Sequence, residues 1–226
     1  MIEKFSTIDN KDEVFLDCAK QILNIDFEVS KHLSSAANTV FELKSENNSW
    51  FLKIGPKLES EYQKLTWLEG KTLSPEVVGF KDFGTTKTLL TEGIKGYNLY
   101  DLSQTWDLDK VIDKFTEAIL KFHSIDFSDC PFGEPQKGLV LTHGDACLPN
   151  FIFSKEGEFK GFIDLGDMKI AKKDVDLAAA VWSLQFGIGA GYGLKFLKSY
   201  GVDDASQEMV NVLWHQYNDW IPLKDL

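Results

Sequence analysis

The sequence predicts an α+β fold in two parts, an antiparallel β-sheet followed by a mainly helical half. Three observations predict it. Short aromatic and β-branched runs with period-2 alternation dominate the first part of the chain. Helical periodicity dominates the second part. The change falls at Glu92-Gly93-Ile94-Lys95-Gly96, so the expected units are residues 1–93 and 94–226.

The elements follow in order. Asp9 and Asn10 supply a cap for a helix to about Asn24, with Val14, Phe15, Cys18 and Ile22 on one face. Residues 27–44 read as two strands around a loop at 33–38, in which Val40, Phe41 and Leu43 lean toward strand. Asn47-Asn48 is a turn, and residues 50–54 are a strand stopped by Gly55-Pro56. Residues 58–69 are a helix with Leu58, Tyr62, Leu65 and Leu68 aligned. Strands at 77–83 and 86–91 complete a five-stranded sheet. In the second half, Val111, Ile112, Phe115, Ile119 and Phe122 make one apolar helix face. A hairpin spans 151–163 around Glu156-Gly157, and helices are expected near 175–186, 193–200 and 205–220.

Bulk properties exclude several classes. A chain of 226 residues is long enough for a substantial core. It has no apolar run of the roughly 20 residues that a membrane span needs. The N-terminal residues lack a basic and then apolar leader, so secretion is not expected. Cys18, Cys130 and Cys147 are odd in number and far apart, with neither a zinc pattern nor a disulfide framework, as expected of a cytoplasmic protein. A net charge of −11 argues against nucleic acid or anionic lipid as partner. That charge is compatible with a cationic substrate, but plain solubility is the simpler reading.

The chemistry is concentrated in His143-Gly144-Asp145-Ala146-Cys147-Leu148-Pro149-Asn150 and in Phe162-Ile163-Asp164 beyond it. Phosphoryl transfer needs an acceptor for a hydroxyl proton and oxygen ligands for magnesium. Asp145 is placed to accept the proton. Asn150 offers an amide oxygen and Asp164 a carboxylate, the hard ligands magnesium prefers. Taken singly, Asp145 and Asn150 would read as turn residues; their order and spacing together point to catalysis. Asp164 closes an apolar run, and a carboxylate ending a buried strand needs a partner. Lys53 lies inside a strand on the face of Phe51, and the next helix carries Glu59 and Glu61. A Lys–Glu pair there would hold nucleotide phosphates. Ser34-Ser35-Ala36-Ala37-Asn38 reads equally as a phosphate-covering loop or as a hairpin, and it holds no glycine. His143 and Asp176 read as structural supports of the catalytic loop, whereas His32, His123 and His215 show no clustering.

The stretch 141–150, together with Gly161-Phe162-Ile163-Asp164-Leu165-Gly166, resembles the aminoglycoside 3'-phosphotransferases. So do residues 122–131, Asp174-Val175-Asp176-Leu177-Ala178, and residues 60–68 after a strand lysine. The resemblance runs from about Ser34 to the C-terminus. It implies a bilobal protein-kinase-like fold, ATP in the cleft, and a hinge at Thr91, Glu92 and Ile94 that contacts adenine. It makes Asp145 the catalytic aspartate, Asn150 and Asp164 the magnesium ligands, and Lys53 and Glu61, in preference to Glu59, the phosphate anchor. Ser34 and Ser35 become phosphate contacts.

Two departures bear on the acceptor. The family usually has Arg after Asp-Leu-Gly, where this chain has Asp167. The family's helical insert, which carries part of its acidic antibiotic-binding loop, is missing between Pro131 and Leu139. Asp167 and Asp219 are candidates to attract the ammonium groups of a small cationic, hydroxylated acceptor. The leading expectation is transfer of the γ-phosphoryl of ATP to an aminoglycoside hydroxyl. A kinase of another small hydroxylated metabolite is the second reading, and a nucleotide-binding protein with little catalysis the third.

Overall fold

The computed structural model describes residues 10–34 and 38–218, with backbone alone at residues 10, 11 and 30–34. Ser35 and Asp219 therefore lie outside the described residues. The chain divides into two compact units, Met1–Thr66 with Pro75–Ile94, and Trp67–Ser74 with Lys95–Leu226.

The first unit holds helix α1 (Asn10–Leu23), strands β1 (Glu28–Ser34), β2 (Thr39–Lys44) and β3 (Ser49–Gly55), most of helix α2 (Glu59–Leu68), and strands β4 (Val77–Asp82) and β5 (Lys87–Glu92). The five strands form one antiparallel sheet in the order β1-β2-β3-β5-β4. Alternation along β3 sorts its side chains. Trp50, Leu52 and Ile54 are buried with Phe41, Leu43 and Leu90, and Phe15, Leu16, Ala19 and Leu23 of α1 pack against them. Burying each such large side chain contributes about 1.5–3 kcal/mol. Lys53 and Phe51 take the opposite, half-buried face of β3, as the alternation predicts. Leu58 just before α2, and Leu65 and Leu68 on it, are buried, and Tyr62 stacks on Phe80 of β4 at 4.5 Å.

The second unit holds β6 (Tyr97–Asn98), helices α3 (Leu99–Ser103) and α4 (Leu108–His123), β7 (Val140–Thr142), a single 3-10 turn (Leu148–Asn150), strands β8 (Phe151–Phe153), β9 (Phe159–Phe162) and β10 (Lys169–Ala171), and helices α5 (Asp174–Gly187), α6 (Tyr192–Tyr200) and α7 (Gln207–Asn218). All five residues of the expected α4 face are buried. Asp107 caps this helix by accepting the Asp109 N–H at 2.8 Å. Residues 177–181 of α5 are all buried, so α5 is the central helix of the unit, with α6 and α7 packed on it.

β6, α3, the 3-10 turn and β10 were not expected from the sequence. Two- and three-residue strands and a five-residue helix are too short to display a period. β10 exists because it pairs with β7, joining Ile170 to Leu141 in register. Among the described residues, no helix is long and apolar enough to cross a membrane. Cys18, Cys130 and Cys147 are buried and form no disulfide.

Candidate active site

In the second unit the site is the loop that leaves β7. Thr142 ends the strand and donates its hydroxyl to the Lys169 carbonyl at 2.8 Å. His143 follows, fully buried, with its ring against Phe122 and Phe151. Its Nε2 donates to the Ile163 carbonyl at 3.1 Å, and the Asp145 N–H lies 3.4 Å from Nδ1. These two partners select the Nε2–H tautomer. His143 is therefore a structural support that ties the loop to the segment before Asp164.

Gly144 turns the chain at φ +90°, and a Cβ there would lie 2.2 Å from the Asp167 carbonyl oxygen. Only glycine fits this close approach. The same contact places Asp167, which is exposed, directly against the turn that carries Asp145.

Asp176, in the first turn of α5 and fully buried, braces the loop. Oδ2 accepts the His143 N–H at 2.7 Å, and Oδ1 accepts the Gly144 N–H at 2.8 Å. His123 also reaches Oδ2 through Nε2 at 2.9 Å, and its Nδ1 meets the Tyr200 hydroxyl at 2.8 Å. His123, given no role from sequence, is thus part of the brace. Its place four residues after Ile119 on the buried face of α4 was the available signal.

Asp145 is half-buried. Asn150 donates Nδ2 to the Asp145 carbonyl and to its Oδ2, both at 2.9 Å. With Nδ2 committed to Asp145, the amide Oδ1 is the atom of Asn150 that could serve a cation. Ile163 donates its N–H to the Asn150 carbonyl at 3.0 Å, which brings the chain at Asp164 alongside Asn150. Strand β9 stops at Phe162, and Asp164 is exposed at φ +60°. The expectation of a carboxylate at a buried strand end is corrected here. The carboxylate is presented on a left-handed backbone, a conformation concentrated at functional sites. Among the described residues, no cluster of three or more His, Cys, Asp or Glu gathers to hold a metal. A cation between Asn150 and Asp164 would therefore complete its shell with phosphate and water, as magnesium does.

Two contacts to Asp145 were missed in the sequence. The Tyr217 hydroxyl donates to Asp145 Oδ1 at 2.5 Å, and the Cys147 thiol donates to the same oxygen at 3.1 Å. Burial, with the Asp145 charge next, pushes the Cys147 thiol up. Burial, then Cys147 and Asp145, pushes the Tyr217 phenol up strongly. Both groups stay protonated and act as donors at neutral pH. No local pattern joins residues 72 apart in sequence, so Tyr217 carried no signal.

In the first unit, Lys53 Nζ contacts both carboxylate oxygens of Glu61, at 2.8 and 2.9 Å. The pair is largely shielded, with side-chain exposures of 19% and 10%. Thr91 is buried on β5, and Glu92 is exposed. The Glu92 N–H donates to the Glu76 carbonyl at 2.9 Å and the Gly93 N–H to the Ser49 carbonyl at 2.8 Å. Both are used within the unit. Ser34 ends β1 opposite Thr39.

An antiparallel five-stranded unit with a strand-lysine to helix-glutamate pair, and a helical unit with an Asp–Asn–Asp loop, have the arrangement expected of the kinase-like class. Residues 133–210 match the family model described as APH, the phosphotransferase enzyme family. The chain is similar to aminoglycoside phosphotransferases. An aminoglycoside 3'-phosphotransferase of Enterococcus faecalis is 29% identical over 206 residues, covering 66% of this chain and 77% of that protein. One from Staphylococcus aureus is 28% identical over 200 residues, covering 64% and 75%. Among solved structures, an aminoglycoside 3'-phosphotransferase of type VIII superposes with a TM-score of 0.73 at 19% identity, covering 94% of this chain and all of that one. The aminoglycoside phosphotransferase APH(3'')-Id of Streptomyces rimosus, in complex with ADP and streptomycin, gives 0.71 at 18% identity, covering 92% and 97%. The structural likeness establishes the kinase-like α+β fold.

Proposed function

We propose that the protein is an ATP- and magnesium-dependent phosphotransferase that moves the γ-phosphoryl of ATP to a hydroxyl of an aminoglycoside, of the 3' type. The observation that carries this reading is the Asp145–Asn150 contact. One amide donates to the base oxygen and keeps its own oxygen for a metal, so proton acceptance and cation binding would share one loop. The names of the similar proteins support the acceptor class.

Each unit contributes separately. In the first, the Lys53 ammonium, held by Glu61, would neutralise nucleotide phosphate. Thr91, Glu92 and Ile94 would form the hinge against adenine; the N–H groups of Glu92 and Gly93 are already donated within the unit. Ser34 and Ser35 would touch phosphate. In the second, Asn150 and Asp164 would hold magnesium. When bound, magnesium offsets charge on the phosphates. Asp145 orients the acceptor hydroxyl and takes its proton as the new O–P bond forms and the β–γ P–O bond breaks, with ADP leaving. Asp167 and Asp219 would attract ammonium groups of the acceptor. The buried cysteines, which form no disulfide, support a cytoplasmic setting.

The short chain between Pro131 and Leu139 favours a second reading, a kinase of another small hydroxylated metabolite. The test is incubation with magnesium-ATP and kanamycin, then with a panel of sugars and amino alcohols, with product read by mass spectrometry. Phosphorylated kanamycin that disappears in Asp145→Asn is the expected result. Product only with another acceptor favours the second reading. Tight ATP binding without any product would sink both enzyme readings.

A further inference from the structure

The two oxygens of Asp145 are engaged unequally. Oδ1 accepts from Tyr217 and from Cys147, at 2.5 and 3.1 Å, whereas Oδ2 accepts only the Asn150 amide, at 2.9 Å. An ionised carboxylate offers about four lone-pair sites, two on each oxygen. Oδ1 is therefore saturated by the protein, and the remaining site lies on Oδ2.

The donor that saturates Oδ1 is itself held. Tyr217 belongs to α7 and is 9% exposed. Its ring lies 5.3 Å from that of Trp182 on α5, and the Trp182 indole N–H donates to Asn218, the next residue of α7, at 3.0 Å. The Cys147 sulfur lies 3.4 Å from the phenol oxygen. The terminal torsion of an aspartate is soft and roughly two-fold, so a carboxylate without such donors rotates freely.

We infer that Tyr217 is a positioning residue that fixes the Asp145 carboxylate so that the acceptor hydroxyl delivers its proton to Oδ2. The inference rests on the proposed phosphotransferase activity. It extends the site to α7, far from the loop in sequence. The competing arrangement, in which the Tyr217 hydroxyl stands where an acceptor hydroxyl would bind, has the opposite kinetic sign.

The test is steady-state transfer to kanamycin by the wild type and Tyr217→Phe. Phenylalanine keeps the ring packed on α5 and removes only the donor. The expected result is a kcat lowered about 10- to 100-fold, the scale of a misplaced catalytic group, with KM for acceptor and ATP within about twofold. An unchanged or raised kcat in Tyr217→Phe, or a loss expressed mainly in KM, overturns the inference. If the wild type transfers phosphate to no acceptor, the proposed function fails separately, and the contact is then read by urea unfolding. Tyr217→Phe should lower the midpoint of the wild type and leave that of Asp145→Ala nearly unmoved. Equal shifts in both backgrounds would also overturn it.

Discussion

Asp176 Oδ2 accepts the backbone N–H of His143 at 2.7 Å, so the first turn of α5 sets the shape of a loop 33 residues earlier in the chain. The same carboxylate takes the Gly144 N–H and His123 Nε2, and it is fully buried. Replacing it by alanine leaves two backbone donors and the Nε2 of His123 without their acceptor. Asp176→Ala is expected to cost about 3–5 kcal/mol, as loss of one partner of a buried charged network does. Urea unfolding measures it; a cost below about 1 kcal/mol would mean the loop finds other acceptors.

Gly144→Ala should be as damaging for a different reason. The residue has φ +90°, and its Cβ would meet the Asp167 carbonyl at 2.2 Å. Strain alone is about 1–3 kcal/mol, and the backbone clash adds to it. Since Asp145 is the next residue, activity should fall further than stability. A variant with normal kcat would show that the turn relaxes without moving Asp145.

Asp145→Asn removes the proton acceptor and nearly preserves shape. Transfer should slow by roughly 10²- to 10⁴-fold, the usual contribution of a general base, with KM for ATP little changed. Rapid-quench measurement of product at saturating ATP checks it.

The Lys53–Glu61 pair should behave as one unit toward ATP. Lys53→Met should raise KM for ATP and lower kcat. Glu61→Gln should do the same more weakly, because the lysine stays but is no longer aimed. The double variant should resemble Lys53→Met alone, with a coupling of about 0.5–3 kcal/mol. Additive losses would place the two side chains in separate roles.

Cys147 and Tyr217 set an alkaline limit on stability. Burial beside Asp145 raises both above their ordinary values of 9.0 and 10.0. Above those values the unfolded chain has lost protons that the folded chain keeps. Stability is therefore fully present below them and falls as pH rises past them. The urea midpoint should drop between about pH 8 and pH 11, and less in Tyr217→Phe. An equal drop in both proteins would assign the alkaline loss to other groups.

Sequence reading placed the five-stranded sheet, the α4 face and the catalytic loop because each is carried by local periodicity or by contiguous residues. Lys53 was separable from its strand neighbours because alternation alone puts it on the face of Phe51, away from Trp50 and Leu52. Asp164 was found but misjudged, since a run such as Gly161-Phe162-Ile163 does not reveal that the strand stops one residue early and the backbone turns left-handed. His123 was passed over because a histidine on an apolar helix face shows its partner only when α5 brings Asp176 to it.

The sequence by itself thus determined the order of elements and the identity of Asp145, Asn150 and Asp164 as candidates, since short-range spacing encodes both. Only the tertiary structure decided how Asp145 is held. Tyr217 and Cys147 reach its Oδ1 from α7 and from the loop itself, and Asn150 takes Oδ2. Hydrogen bonding depends on distance and direction in space, and packing of α7 on α5 sets these for Tyr217 irrespective of its separation along the chain.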